Sequence, residues 1–231
     1  MLIDNRINVL TFLRSYSMII EQPPKLYRML FPKSIWRIKR KNKKMVYLTF
    51  DDGPIPDVTP WVLDVLDKYN IKATFFCVGD NVRKHPDIYS DVLKRGHEVG
   101  NHTHNHLQGW KTFGSKFVQN VTLCSKYIQS SLFRPPHGHM FIYQLTHLHL
   151  LGYKTIMWDV VTRDYSKRMT PQDVFDNVKQ YTRDGSILVF HDSLKAEINL
   201  KYAENLLDTY GLGEFKNSFP RQLSGGMRQR V

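Results

Sequence analysis

Hydrophobic and polar positions along this chain follow two alternating rhythms. From residue 45 onward, short apolar runs rich in β-branched and aromatic residues are separated by stretches of helical period. Val46-Tyr47-Leu48-Thr49-Phe50 reads as a strand, stopped by Asp51-Asp52-Gly53-Pro54. Residues 59–70 read as a helix: Pro60 suits its first turn, and Val62, Leu63, Leu66 and Tyr69 share one face. Residues 73–78 predict a second strand, 86–95 a helix closed by Gly96, and 98–100 a third strand. Further on, 116–130 predicts a helix, 132–134 an extended segment before Pro135, 144–151 a helix ending at Gly152, and 154–158 a strand. A helix over 171–182 follows Thr170, a good N-cap, and 186–190 is again strand-like. Strands that are apolar on both faces and alternate with helices indicate a parallel α/β sheet or barrel.

The first 44 residues are different. Pro23-Pro24 precede an amphipathic stretch over 26–31, then Pro32, then a basic run. This predicts an arm that packs through Leu30, Phe31 and Trp36. The full chain has 231 residues and a formal net charge of +12. Eleven Lys and Arg residues but only Asp4 and Glu21 lie in 1–44, so nine of those twelve charges belong to the arm. A lead segment of this kind, without interleaved aromatics on a folded face, argues against nucleic acid as partner. It is compatible with weak attraction to an anionic membrane surface. An internal start at Met18 would leave residues 1–17 outside the natural protein. The longest apolar candidate for a membrane span, 9–20, carries Arg14 and falls short of the ~18 residues a span needs. No clear signal peptide is visible either. Cys77 and Cys124 have no metal-type spacing and read as unpaired thiols, with Cys77 buried in an apolar run.

In parallel α/β folds, sites gather at the C-terminal ends of the strands. Here those ends carry Asp51-Asp52, the run Asn101-His102-Thr103-His104-Asn105-His106, Arg134, Asp159 with Asp164, and His191-Asp192. His102 and His106 are four residues apart, which on a helical turn places two imidazoles on one side, a common metal-ligand arrangement. Two histidines and a carboxylate leave coordination positions open for water and substrate, as metal-assisted hydrolysis requires. Zn²⁺ suits such ligands, and Co²⁺ or another divalent ion could replace it. His104, between the pair, is expected to point elsewhere. Adjacent carboxylates after a strand point in different directions. One of Asp51 and Asp52 can therefore hold a metal while the other acts as a base. His191 is the natural general acid, and Asp164 could orient it.

Read in order, Thr49-Phe50-Asp51-Asp52-Gly53-Pro54, His102-Thr103-x-x-His106, Arg134-Pro135-Pro136-His137-Gly138, Asp164-Tyr165 and Val189-Phe190-His191 resemble the five motifs of the polysaccharide deacetylase family, the NodB-homology domain of carbohydrate esterase family four. The resemblance covers roughly residues 45–200. It implies a distorted (β/α) barrel and a metal-dependent deacetylase acting on N-acetylglucosamine in chitin-like glycans or peptidoglycan. It further implies Asp51 as catalytic base, Asp52, His102 and His106 as metal ligands, and Arg134 as the residue holding Asp51. The main chain near His137 would stabilise the oxyanion, with Asp164 tuning His191, the general acid. His137 stands where the family usually has Tyr or Phe, and Tyr165 where it usually has Trp. Trp158 is read as core rather than as a sugar-stacking surface. Glycan substrates point to the envelope or to export.

The last residues depart from this pattern. Arg221-Gln222-Leu223-Ser224-Gly225-Gly226-Met227-Arg228-Gln229-Arg230-Val231 resembles the signature motif of ABC-transporter ATPases, yet no P-loop occurs in the chain. ATP is therefore not an expected partner. The organisation expected is a basic arm over 1–44, a catalytic domain over 45–202 and a foreign tail over 203–231, with the barrel lacking its usual last strand. The competing readings are a non-catalytic carbohydrate-binding relative, an O-acetyl xylan esterase and, least favoured, an ATPase subunit.

Overall fold

The structure is a computed structural model that describes residues 21–41 and 44–197. The expectations for 1–17 and for 203–231, including the missing last strand, lie outside the described residues.

Among the described residues, seven strands form one sheet in which every pairing is parallel. They are β1 (Tyr47–Asp51), β2 (Thr74–Cys77), β3 (Glu98–Asn101), β4 (Leu132–Phe133), β5 (Lys154–Thr155), β6 (Val160–Val161) and β7 (Ile187–His191). The order across the sheet is β5-β4-β3-β2-β1-β7-β6, so β2 is in the middle, β1 lies between β2 and β7, and β5 and β6 are the edges. The helices are α1 (Lys25–Leu30), α2 (Thr59–Lys68), α3 (Gly79–Lys84), α4 (Pro86–Lys94), α5 (Lys116–Cys124), α6 (Ile142–Leu150) and α7 (Pro171–Tyr181). This is the distorted (β/α) barrel the motif pattern implied.

The strands are apolar on both faces because both faces are covered. On the helix side of β1 and β2, Phe50 stacks on Phe75 at 5.1 Å and packs with Val62, Leu63 and Leu66 of α2 and Val92 of α4. The next residue, Phe76, points the other way and packs with Tyr47, Leu132, Ile156 and Ile187. Gly100 makes that possible, since a Cβ there would lie 2.5 Å from the Phe76 ring. Helices α5 and α6 close the other flank through Phe117, Val121, Leu145 and Leu148.

The N-terminal segment is part of this body. Phe31 and Trp36 are buried as expected, but Leu30 is 46% exposed and does not pack. Ile35 bridges to Ile156 in parallel and Arg37 to Ser186 in antiparallel, so the segment runs from the residue after edge strand β5 to the residue before β7. Asp159, read from sequence as one of the strand-end ionisable groups of the site, belongs to this junction instead. Its buried carboxylate accepts from Arg28 and Arg183 at 2.8 Å each and from the Ser186 hydroxyl at 2.8 Å, with Arg37 Nε at 3.5 Å. Those cations hold it near the bottom of the carboxylate range, at about 2, against the upward push of burial.

Helix α3 and strand β6 were not foreseen, because each is too short to show a period. The expected strand over 154–158 is shorter than its pattern suggests: β5 ends at Thr155, and β6 is a separate strand that starts at Val160, beyond Asp159.

Candidate active site

The ends of β1, β3, β4 and β7 and the loop after β6 bring the expected residues together. Asp51 and His191 are Cα partners at the ends of the paired strands β1 and β7. Arg134, just past β4, is fully buried and crosses the barrel interior. Its Nη1 donates to Asp51 Oδ1 at 2.6 Å and to Thr49 Oγ1 at 2.7 Å. Its Nε and Nη2 donate to the carbonyls of Ile156 and Met157 at 3.1 Å each, and the guanidinium lies 4.0 Å from the Phe76 ring centroid. Four anchors leave it one position, and through it Asp51 has one position too. Burial lowers the Arg134 pKa, while the Asp51 carboxylate opposes that shift.

Asp52 follows with φ at +85°, a left-handed backbone that an aspartate tolerates better than most side chains. Its carbonyl accepts from Asn81 Nδ2 of α3 at 2.8 Å, a contact no sequence signal announced. The turn beyond is held by buried Asp192, whose carboxylate accepts from the Gly53 amide at 3.0 Å and the Thr59 hydroxyl at 2.7 Å. A Cβ on Gly53 would fall 1.9 Å from that carboxylate, so only glycine fits.

The histidine pair sits on an irregular loop after β3, not on the helical turn the spacing suggested. Thr103 and His106 have φ of +66° and +54°, and the loop is knotted by side chains. Asn101 Oδ1 accepts from the Thr103 amide, Thr103 Oγ1 from the Leu107 amide, and Asn120 Oδ1 from the amides of His104 and Asn105. The result still puts both imidazoles on Asp52: its Oδ1 lies 3.1 Å from His106 Nε2 and 3.6 Å from His102 Nε2. His104 turns away and stacks on Tyr127 at 5.4 Å.

His102 Nδ1 lies 2.8 Å from the Arg134 carbonyl. A carbonyl only accepts, so Nδ1 carries the proton and Nε2 presents its lone pair toward Asp52. Burial drops the His102 pKa to about 4, so the ring stays neutral across the physiological range. Buried Asp52 Oδ1 makes no well-aligned hydrogen bond. Burial alone would raise its carboxyl, but the His106 ring beside it and the charge of His191 across the site outweigh that and hold it well below the usual carboxylate range. A buried carboxylate oxygen facing a ring-nitrogen lone pair is an arrangement that a cation resolves. Asp52, His102 and His106 form the one group among the described residues whose ligand atoms, all within 4.8 Å of one another, could hold a metal ion.

Across the cleft, Asp164 is fully buried and grips His191 twice: its Oδ2 accepts from the His191 amide at 2.7 Å, and its Oδ1 lies 2.8 Å from His191 Nδ1. Burial would lower the imidazole pKa, but the Asp164 charge and its hydrogen bond prevail and push it up to about 9. Tyr165, 43% exposed, stands edge-on to His191 at 4.8 Å and forms one wall. His137 forms another: its ring is 5.0 Å from that of His106, and its φ is +56°. Trp158 lies beneath Gly138, where a Cβ would come within 2.5 Å of its ring, so it supports the loop as core. A cleft of ≈ 320 Å³ opens beside Asp52 and His106, bounded by Asp80, Asn81 and Asn105.

Comparison with known proteins agrees with this geometry. The sequence pattern of the polysaccharide deacetylase family matches residues 38–156. The chain is 34% identical over 164 residues to a peptidoglycan-N-acetylglucosamine deacetylase of Bacillus cereus, covering 68% of this chain and 76% of that protein. Across eight curated relatives, all named as deacetylases of peptidoglycan or chitooligosaccharides, the chain spans between 34% and 76% of their length. The structure superposes on the peptidoglycan N-acetylglucosamine deacetylase Bc1960 with a TM-score of 0.76 at 26% identity, covering 88% of this chain and 96% of that one. It also superposes on BA3943, a CE4 family pseudoenzyme of Bacillus anthracis, with a TM-score of 0.64 at 26% identity, covering 80% and 69%. The fold is thus shared by active and inactive proteins, and the site residues must carry the functional argument.

Proposed function

This chain belongs to the polysaccharide deacetylase family, and we propose that it removes N-acetyl groups from N-acetylglucosamine in peptidoglycan or chitooligosaccharides, releasing acetate and a free amine. The observation that carries this reading is the convergence of Asp52, His102 and His106, with Asp51 on Arg134 and His191 on Asp164 beside them.

In this reading Asp52, His102 and His106 hold a divalent ion, and zinc is the ion proposed for two imidazoles and one carboxylate. When bound, the ion supplies Lewis acidity toward the acetamide carbonyl and acidifies water at the site. The chain's own groups do the rest. Asp51, fixed by Arg134, takes a proton from the attacking water. The water oxygen forms a bond to the carbonyl carbon. The His137 amide, on the turn after Arg134, would donate to the developing oxyanion. His191 gives its proton to the departing nitrogen as the C–N bond breaks, and Asp164 holds the imidazolium while it carries that proton.

An acetate-release assay on peptidoglycan fragments, chitooligosaccharides and acetylated xylan tests this directly. Release from the first two is expected to vanish with a chelator and return with added Zn²⁺ or Co²⁺. Release from xylan alone would favour the O-acetyl esterase. Tight glycan binding with no acetate from any substrate would make the chain a binding relative. No helix among the described residues is long and apolar enough to cross a membrane. The proposed place of action is the cell envelope, where these glycans are found.

A further inference from the structure

Two loops of the site are tied to the same short N-terminal segment. On one side, the Tyr27 hydroxyl donates to the Gly138 carbonyl at 2.8 Å, one residue past His137. The Tyr27 ring is wedged edge-on against Phe31 at 5.4 Å and Trp36 at 5.9 Å, and burial pushes its phenol well above the ordinary value. On the other side, the Glu21 carbonyl accepts from the Val161 amide of β6 at 2.8 Å, and its carboxylate pairs with Arg163 Nη1 at 3.1 Å. Arg163, with φ at +65°, directly precedes Asp164, the residue that grips His191. Between these ends, Arg28 of α1 is fixed to Asp159 and to the Pro23 carbonyl.

The sheet does not supply this link. Strands β5 and β6 are its opposite edges and do not pair with each other. The His137 loop follows β4 beside the first edge, and the Asp164 loop follows β6 at the second. We propose that residues 21–27 act as a strap that sets the separation between these two loops, with Tyr27 and Glu21 as positioning residues for the oxyanion donor and the general acid. This rests on the deacetylase reading for its effect on rate, but the mechanical claim stands on the contacts alone.

The test uses the full chain with Tyr27→Phe, which keeps the ring and removes only the hydroxyl, and with Glu21→Gln. Met29→Ala, on the exposed face of α1 (72% exposed), serves as a control expected to change nothing. Hydrogen–deuterium exchange is followed in peptides over 134–140 and 160–166. For Tyr27→Phe, exchange in 134–140 is expected to quicken about fivefold, the effect of one lost hydrogen bond, and Glu21→Gln is expected to act on 160–166 instead. In the acetate assay both variants are expected to lose about three- to tenfold in kcat at unchanged KM, the mark of a displaced catalytic group and not of lost binding. Unchanged exchange in both loops would overturn the strap, as would a loss of activity that only tracks the folded fraction. If the wild-type chain releases no acetate, the deacetylase reading fails, and the exchange measurement still decides whether the strap exists.

Discussion

Asp51→Asn is expected to cut acetate release by about 10²–10⁴-fold, the usual worth of a positioned general base. The amide is nearly isosteric and its oxygen can still accept from Arg134 Nη1, so the geometry around the guanidinium persists. What disappears is the only group in that position able to take a proton from water. Asp51 is not among the three residues assigned to the metal, so zinc affinity measured by competition with a chromogenic chelator should change little. The variant therefore separates proton transfer from metal binding. A fall in rate matched by a fall in metal occupancy would remove Asp51 from the role of base. Stability should drop as well, because Arg134 is fully buried and loses its compensating charge. Breaking one side of a buried pair costs about 3–5 kcal/mol, and the retained hydrogen bond should keep the loss below that.

Asp164→Asn is expected to act through His191, and its signature is a pH profile. With Asp164 present the imidazole stays protonated up to about 9, so the acid form is available through neutral pH. The basic limb of kcat should fall near that value. Asparagine removes the charge, and the limb should move down toward the ~6.5 of an unperturbed histidine. At pH 8 the acid is then mostly deprotonated, and the misdirected ring adds a loss that reaches about 10⁴-fold in a comparable carboxylate–histidine pair. The same substitution changes stability with a definite sign. A histidine whose folded pKa is raised stabilises the fold fully below its unfolded value, and that contribution is lost as pH rises through the folded value. The wild-type Tm advantage over Asp164→Asn should therefore be largest below about pH 6.5 and shrink toward and above about pH 9. A basic limb that stays in place would show that His191 is not the titrating acid.

Much of the site could be read in the sequence because its residues stand at strand ends in fixed short patterns. Asp51-Asp52, His102 with His106, Arg134, Asp164 and His191 all come together. The route by which they do so was less legible. The four-residue spacing of the histidines suggested a helix, but Asn101, Thr103 and Asn120 satisfy the loop's amides with side chains and fold it without one. Such closure depends on residues distant in sequence, and local period cannot reveal it. Asp159 looked like a site residue because it follows a strand, yet its partners Arg28 and Arg183 are fixed only by the tertiary fold. Asn81 and Tyr27 were invisible for the same reason: each matters through one hydrogen bond to a backbone carbonyl across the fold.

The Asp159 junction bears on where a self-sufficient fragment can begin. A chain cut to start at residue 45 would retain every catalytic motif, yet it would lose Arg28 and Arg37 and leave that inaccessible anion with Arg183 as its one cation. It would also bare the surfaces that Phe31 and Trp36 now cover. Such a fragment should express as an aggregating or loosely folded species, while one starting before residue 21 should give a sharp melting transition. The smallest unit that folds is therefore expected to be longer than the smallest unit that carries the proposed chemistry.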